Sequence, residues 1–342
     1  MTTIRQAIDA IVSHGRSLSE DEAAAVMRDI MSGEATPAQI GAFLVALRLK
    51  GETVDEITGM ARVMREHALS VPAAGLSGLV DTCGTGGDAS GTFNVSTAAA
   101  FVVAGAGVPV AKHGNRAMTS ACGSADVLEA LGAKIDLDPE QVAQCIREVG
   151  IGFMFAQSFH PAMKHVAGPR REIGVRTVFN VLGPLTNPAG AAHQLLGVAR
   201  PELAPLLAQA LRRLGARHAL VVHGHGGLDE LSLSGPSIVH ELRDGVLREY
   251  SVSPEEVGLL QAPNEAVRGG SPKENAAALR DVLDGKSGPL RDITLLNAAA
   301  ALVAGDLAAD LQDGVRLAAR AVDSGAAREK LDAFVKLTGG FA

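Results

Sequence analysis

From Leu79 onward, short apolar runs at residues 108–111, 152–155, 194–199 and 219–223 alternate with helical segments, and this alternation restricts the fold more than any other feature of the chain. Parallel strands cannot be joined by tight turns; they need crossover connections, and intervening helices supply them. The pattern therefore predicts a mostly parallel sheet covered by helices. One pair of runs departs from it. Residues 237–242 and 246–250 are separated only by Arg243, Asp244 and Gly245, an Asp-Gly turn that predicts an antiparallel hairpin at the sheet edge. Residues 201–214 read as a helix, Ser253, Pro254, Glu255 and Glu256 open another, and the chain from Asn275 is Ala- and Leu-rich helix. The membrane-like run 95–111 is rich in Ala and Gly, broken by Pro109 and interrupted by Ser96 and Thr97, so it reads as a buried helix and strand.

Up to about Leu69 the texture is different. Ser19 with Glu22, Thr36 and Pro37 with Gln39, and Thr53 with Glu56 each form a capping box ahead of an apolar periodic run. Ile40, Phe43, Leu44 and Leu47 recur at helical spacing on helices too short to bury such a face alone, so these helices pack together or against a partner subunit. With 342 residues the chain has the length of about two domains. The expected fold class is α/β, with a small N-terminal helical domain ahead of a larger α/β domain that has a mostly parallel central sheet and an antiparallel edge hairpin.

Lys plus Arg number 31 against 38 Asp plus Glu, a net charge of -7, which is a poor footprint for a nucleic-acid or anionic-membrane binder. Aromatic residues are 3% with no Trp, which argues against base-stacking platforms. Small molecules and metal cations are the expected partners, with no nucleic acid and no membrane. Cys83, Cys122 and Cys145 form no Cys-x-x-Cys pair, so neither a disulfide framework nor a thiolate zinc site is indicated. Residues 1–15 lack a basic region followed by an apolar core, and the expected location is a reducing cytoplasm.

Three glycine-rich polar loops each follow an apolar run, where open α/β sheets place ligands. The first holds Asp81, Thr82, Cys83, Gly84, Thr85, Gly86, Gly87 and Asp88 and leads to Asn94, Val95, Ser96 and Thr97 at the start of an Ala-rich helix. Bare backbone N–H groups and hydroxyls at a helix N-terminus make an anion site; a flexible turn is the plainer reading. The loop fits neither Gly-x-Gly-x-x-Gly nor a P-loop, which disfavours a dinucleotide fold. The second holds Lys112, His113, Gly114, Asn115 and Arg116 at the end of the run 108–111, with Ser120, Gly123 and Ser124 beyond. Its cations either clamp phosphate or form a solvated basic turn. The third holds His223, Gly224, His225, Gly226, Gly227, Leu228, Asp229 and Glu230. Adjacent carboxylates there suit magnesium completed by substrate phosphates, the two histidines raise zinc without a clear third ligand, and surface acids without metal are the plainer reading. In a fourth constellation around His160, Arg170 can fork onto a ligand carboxylate or pair with Glu172 at the surface, while Phe159 and Met163 read as core.

Taken in order, residues 84–88, 92–97, 112–116, 123–132, 176–188 and 228–230 closely resemble the anthranilate phosphoribosyltransferase family of tryptophan biosynthesis, over nearly the whole chain. The resemblance implies a helical domain, residues 1–72 with a contribution from about 165–190, hinged to an α/β domain, residues 73–342. It implies transfer of the phosphoribosyl group of phosphoribosyl pyrophosphate to the amine of anthranilate, with two magnesium ions entering with the donor and homodimers formed through the helical domain. Carried over, Gly84, Gly87, Asp88, Thr92, Asn94, Val95, Ser96 and Thr97 resemble the donor loop. Lys112, His113, Gly114, Asn115, Arg116, Ala117, Met118, Thr119 and Ser120, with Ser124, close around the phosphates. Ser96, Asp229 and Glu230 resemble the metal positions. Gly84, Asn115 and Arg170 resemble the anthranilate contacts, with His160, Gly183 and Pro184 as pocket walls. No general base is implied; Lys112, Asn115 and Arg170 position the reactants. Closure about linkers at 70–78 and 168–174 would exclude water.

Three other readings compete. A pyrimidine nucleoside phosphorylase shares the architecture but has no use for the pair Asp229 and Glu230. A transferase with another aromatic amine as acceptor differs only in the acceptor pocket. A non-catalytic nucleic-acid-binding relative would use a basic face at Arg212, Arg213 and Arg217, whose plainer reading is a solvated helix end.

Overall fold

The computed structural model describes residues 3–72, 76, 78–117 and 121–341. The chain opens with helices that start where a capping box satisfies their first N–H groups. These are α1 (Ile4–Val12, box Thr3 and Gln6), α2 (Glu20–Met31, Ser19 and Glu22), α3 (Pro37–Lys50, Thr36 and Gln39) and α4 (Val54–Glu66, Thr53 and Glu56). Ile30, Ile40, Phe43, Leu44, Leu47 and Met60 are buried where the helices meet. The last box has a second duty. Glu56 is fully buried, accepting from the Leu18 N–H and the Thr53 N–H at 2.9 Å and facing the Lys50 ammonium at 2.9 Å.

Strand and helix then alternate: β1 (Val80–Gly84), α5 (Val95–Gly105), β2 (Val110–Gly114), α6 (Ser124–Leu131), α7 (Pro139–Val149) and β3 (Ile151–Phe155). A middle segment follows with α8 (Ala156–Phe159), α9 (Lys164–Ile173) and α10 (Phe179–Leu182). The sheet resumes with β4 (His193–Gly197), α11 (Ala204–Arg213), β5 (His218–His223), β6 (Ser237–Arg243) and β7 (Val246–Val252), and the chain ends in α12 (Pro272–Leu283), α13 (Pro289–Ala304), α14 (Leu311–Asp323) and α15 (Ala326–Gly339). The sheet order is β3-β2-β1-β4-β5-β6-β7, parallel from β3 through β5 and antiparallel across β6 and β7. At the hairpin, Asp244 and Gly245 have φ of 47° and 82°, the left-handed pair that a two-residue turn of this hand requires.

Successive strand residues face opposite sides. Leu195, Leu220 and Val222 pack against the layer built from α5, α6, α7 and α12 to α15. Leu196, Val198, Ala219 and Val221 face α11 and share one core with the N-terminal helices and with Val166, Val178, Phe179, Val181, Leu182 and Leu185 of the middle segment. Run 95–111 is indeed a buried helix leading to a strand. Among the described residues no helix is long and apolar enough to cross a membrane.

Several expectations shift. The second strand runs on through Lys112 and His113 to Gly114, because both side chains find buried partners and the ladder with β3 continues. Likewise Asp81 to Gly84 belong to β1. Residues 254–257 form only a 3₁₀ turn, stopped by Gly258 at φ 81°. Residues 168–173 are helical within α9 although Pro169 lies inside the helix and forgoes one backbone hydrogen bond; Pro169 and Val166 are buried, and the helix ends at Gly174, φ 69°. The other expected linker, 70–78, lies partly outside the described residues.

Removing one partner of a buried ion pair costs about 3 to 5 kcal/mol. Glu56→Ala is expected to lower the stability of the helical region by that order, read as a shift in the urea midpoint, whereas Glu22→Ala, at an exposed box, is expected to cost about 1 kcal/mol.

Candidate active site

The site is built from glycines at strand ends. Gly84 closes β1 and Gly197 closes β4, and they are Cα partners in the ladder. A Cβ on Gly84 would strike the Asp229 carboxylate, and one on Gly197 would strike the Asp229 backbone. Bare backbone there lets the loop after β5 fold back over the C-terminal edge of the sheet. Gly224 does the same for Glu230, whose carbonyl would meet a Cβ.

Asp229 accepts from the Gly86 N–H at 2.7 Å, which brings the first and third sequence loops together. Gly86 and Gly87 hold φ of 63° and 81°, open only to glycine at little cost. Asp88 accepts from the Ser90 N–H at 3.3 Å and from its hydroxyl. The loop is tied at its far end by Gly269 N–H to Gly91 O at 2.8 Å and Phe93 N–H to Val267 O at 3.0 Å. It delivers the chain to the N-terminus of α5, where Asn94 donates to Cys122 O at 3.1 Å and accepts from the Asn275 amide at 2.9 Å. Thr97 is buried, and its hydroxyl has no hydrogen-bond partner.

Below the loop the charges converge. Lys112 is buried in β2, with its ammonium donating to Thr82 O and, at 3.2 Å, to the Ser96 hydroxyl. It is therefore an interior cation rather than an exposed clamp. Burial pushes Glu230 well above the usual carboxylate range, neighbouring Asp229 pushes it further, and Lys112 and the Ser96 N–H oppose. Burial and then Asp88 raise Asp229 to about 6. Two adjacent carboxylates kept from water favour a cation. Among the described residues no three His, Cys, Asp or Glu side chains gather, so the protein alone does not cage an ion. Two carboxylates and a hydroxyl fit a hard divalent cation that keeps its waters and takes substrate oxygens. Asn297 fixes the pair from behind: fully buried on α13, it accepts from the Leu231 N–H at 2.8 Å and donates to Leu231 O at 3.0 Å.

The second loop is only partly involved. Asn115 is exposed, and its carbonyl accepts from the Ser124 hydroxyl at 3.2 Å. The Ala117 N–H donates to Asp126 at 2.9 Å. Arg116 points outward to Asp126 at 3.1 Å and to Glu129, over the Phe155 ring at 5.4 Å, away from the glycine loop. Met118, Thr119 and Ser120 lie outside the described residues.

On the opposite wall His113 joins His160, their rings 5.1 Å apart, and the His113 Nδ1 lies 3.2 Å from Gly183 O. The Nε2 atoms of both are buried and without a hydrogen-bond partner. Pro184 O accepts from Gln194 at 2.6 Å, which fixes this turn. Arg170 stacks over Phe179 at 5.4 Å and forms no ion pair with Glu172. Phe159 is core, and Met163 packs on the bundle core.

The competing groups lie elsewhere. His223 and His225 turn their Nδ1 atoms to Val198 O at 2.8 Å and to the Ser234 hydroxyl at 3.1 Å. Arg213 faces Asp55 and Glu20, and Arg217 faces Asp244. Sequence reasoning missed Asn275, Asn297 and Gly197, and assigned no role to Arg176, whose guanidinium donates to Thr85 O and Gly86 O. No local signal marks the first two, whose partners Asn94 and Leu231 lie far away in sequence.

The family model of the glycosyl transferase helical bundle domain matches residues 5–68, and that of the glycosyl transferase a/b domain matches residues 76–328. The chain is 60% identical over 341 residues to the anthranilate phosphoribosyltransferase of Chloroflexus aggregans, covering 99% of each. The solved anthranilate phosphoribosyltransferase of Thermus thermophilus superposes with a TM-score of 0.92 at 49% identity, over 99% of this chain and 100% of that one. The Saccharomyces cerevisiae enzyme in complex with phosphoribosyl pyrophosphate and magnesium superposes with a TM-score of 0.91 at 30% identity, over 99% and 98%. In complex with 4-fluoroanthranilate it superposes with a TM-score of 0.88 at 28% identity, over 99% and 98%.

Burial, and then the neighbouring ring, lower His113 to about 3, and burial lowers His160 to about 4. Both are neutral in the folded protein near pH 7. An unfolded histidine titrates near 6.5, so between about pH 6.5 and pH 4 the unfolded state binds more protons, and stability falls with pH by up to about 1.4 kcal/mol per unit for each ring. His160→Asn is expected to flatten the urea-unfolding profile in that window and leave its slope above pH 7 unchanged; an equally steep profile would contradict the assignment.

Proposed function

Because the chain belongs to the anthranilate phosphoribosyltransferase family, we propose that its glycine loop binds phosphoribosyl pyrophosphate and that the wall formed by α9 and α10 binds anthranilate. The enzyme is a glycosyltransferase that transfers the 5-phosphoribosyl group to the amine of anthranilate, giving N-(5-phosphoribosyl)anthranilate and pyrophosphate, a step of tryptophan biosynthesis. The bond between the Gly86 N–H and Asp229 carries the site assignment, because it sets an anion loop against an acidic pair at one point of the sheet edge.

In this reading the Gly87 N–H, the N-terminus of α5 and the loop from Asn115 to Ser124 hold the donor phosphates, while the Gly86 N–H holds Asp229. Asp229, Glu230 and the Ser96 hydroxyl would hold magnesium, two ions entering with the donor. When bound, magnesium neutralises charge that collects on the departing pyrophosphate. Lys112 offsets the Glu230 charge from below and orients the Ser96 hydroxyl. Arg170 forks the anthranilate carboxylate, and Asn115, Gly84 and the turn at Gly183 and Pro184 confine the ring. The neutral imidazoles of His113 and His160 present no charge to the incoming amine. As the bond from ribose C1 to pyrophosphate breaks, its electron pair leaves with pyrophosphate, the amine nitrogen bonds to C1, and the proton it then loses passes to solvent water. Holding the two reactants in line supplies about 7 to 11 kcal/mol of the barrier reduction by effective molarity.

The subunits pair through the helical region. Val12 on α1 and Val45 and Leu49 on α3 are exposed apolar side chains, Leu49 at 82%, on helices that pack against each other. Cys83, Cys122 and Cys145 are buried and form no disulfide among the described residues, which suits a reducing cytoplasm.

Mixing the protein with anthranilate, the donor and magnesium is expected to quench anthranilate fluorescence, with the loss abolished by a chelator and by Glu230→Ala. Loss that survives the chelator would remove the metal from the reading. Arg170→Ala is expected to raise the anthranilate KM by about 10- to 150-fold, the worth of a charge-assisted hydrogen bond, and to move the donor KM little; equal effects on both would refute the fork. Leu49→Asp is expected to yield monomers in sedimentation velocity, and an unchanged sedimentation coefficient would refute the subunit contact.

A further inference from the structure

Arg176 lies between α9, which carries Arg170, and α10, which leads to Gly183. Its Nη2 donates to Thr85 O at 2.8 Å and to Gly86 O at 2.7 Å, and a Cβ on Gly87 would strike its guanidinium. A trans peptide holds its C=O and N–H on opposite sides of the chain. With the Thr85 carbonyl drawn to Arg176, the Gly86 N–H must point the other way, and it does, reaching Asp229 at 2.7 Å. By the same geometry, drawing the Gly86 carbonyl to Arg176 turns the Gly87 N–H away from the guanidinium. One side chain thus sets the direction of two loop N–H groups, of which that of Gly86 reaches Asp229.

Burial works against the charge on Arg176; Asp229 and Asp88 attract its guanidinium, while Arg200 and Arg48, which line a pocket of about 70 Å³ together with it, repel it. The segment does not need Arg176 for its own local structure, since the Thr177 N–H is capped by Asn180 at 2.9 Å and Arg170 stacks on Phe179.

We propose that Arg176 is a positioning residue that couples the two substrate sites: it ties the glycine loop to the segment bearing Arg170 and Gly183, so that an occupied loop orders the anthranilate wall and an occupied wall orders the loop. This deepens the functional reading and rests on the loop being the pyrophosphate site. Linkage requires one and the same factor in both directions.

Magnesium pyrophosphate is a suitable probe, because it fills the loop and offers no ribose to transfer. Anthranilate is titrated by its fluorescence with and without magnesium pyrophosphate, and pyrophosphate by calorimetry with and without anthranilate. In the unmodified protein each ligand is expected to tighten the other by the same factor, of order 5-fold or more. In Arg176→Gln the factor is expected to fall to near one while anthranilate alone binds within about 3-fold of its original affinity, a split that general damage to the site would not produce. Arg176→Lys, which keeps the charge but cannot fork two carbonyls, is expected to retain less than half of the coupling energy, and it carries the test if the Gln variant fails to fold. Free guanidinium at millimolar concentration is expected to restore coupling in Arg176→Ala. Undiminished coupling in a folded Arg176→Gln, or a factor of one in the unmodified protein, would overturn the inference. Absence of pyrophosphate binding to the unmodified protein would instead defeat the donor-loop reading, and this inference with it.

Discussion

Carboxylates buried beside a single lysine ammonium set the terms for everything around them. Asp81 and Glu230 lie buried with Lys112, and Asp229, only partly buried, stands next to Glu230. An ion withdrawn from water loses several kcal/mol of hydration even after relaxation, so each of these groups has to be answered by an opposite charge or a hydrogen-bond donor. The His113 N–H answers Asp81 at 3.1 Å, the Gly86 N–H answers Asp229, and Lys112 with the Ser96 N–H answers Glu230. Burial first, and then the neighbouring carboxylates, make Asp229 and Glu230 hold their protons more tightly than free carboxylates, and the Lys112 ammonium offsets this only in part at Glu230. In the proposed reading the C-terminal edge of the sheet takes a cation, and the cation in turn takes pyrophosphate. The glycines at 84, 197 and 224 follow from the same demand, since any side chain would push the acidic loop off the strand ends.

What the sequence reveals of this arrangement divides by range. Capping boxes are contacts across three residues, and every box read from the sequence is formed; the one around Thr3 and Gln6 escapes a search that begins from an apolar run. The turn at Asp244 and Gly245 is equally local. Lys112 shows where local reasoning stops. A strand traced by apolar residues ends at Ala111, because a lysine is not expected inside a sheet, and only the adjacency of β1 and β2 brings Asp81 and Thr82 to neutralise and bond it. Residues 168–173 mislead in the opposite way, since Gly168 and Pro169 look like a linker until Val166 and Pro169 are seen to be buried. The site residues carried over from the family resemblance, except those at 118–120, can all be placed in the structure, but the resemblance does not say that Arg116 faces outward or that Lys112 lies within.

The supports behind the site are less legible still. Asn275 and Asn297 sit in helices whose neighbours are mostly Ala and Leu, and nothing local distinguishes them from tolerated polar residues. Their roles depend on partners far away in sequence: Asn275 orients Asn94 at the start of α5, and Asn297 pairs with the backbone of Leu231, one residue beyond the acidic pair. A buried amide left unpaired costs about 1 to 3 kcal/mol, so such residues hold one geometry firmly. Here that geometry is the alignment of a helix N-terminus and two carboxylates on one point.

The division of the core then decides how the two substrates' walls can move. The N-terminal helices, α11, the middle segment and one face of the sheet share a continuous apolar core. A rotation of the whole helical region would expose that core to water at about 25 cal/mol for each Å² of apolar surface, which opposes large swings. The parts able to adjust without this penalty are those outside the core: the glycine loop from Thr85 to Gly91, the turn after Gly174, and the exposed loop at Asn115. The glycine loop and the turn after Gly174 meet at Arg176. In the proposed reading, the residue that joins donor loop to acceptor segment governs how far binding on one side is felt on the other.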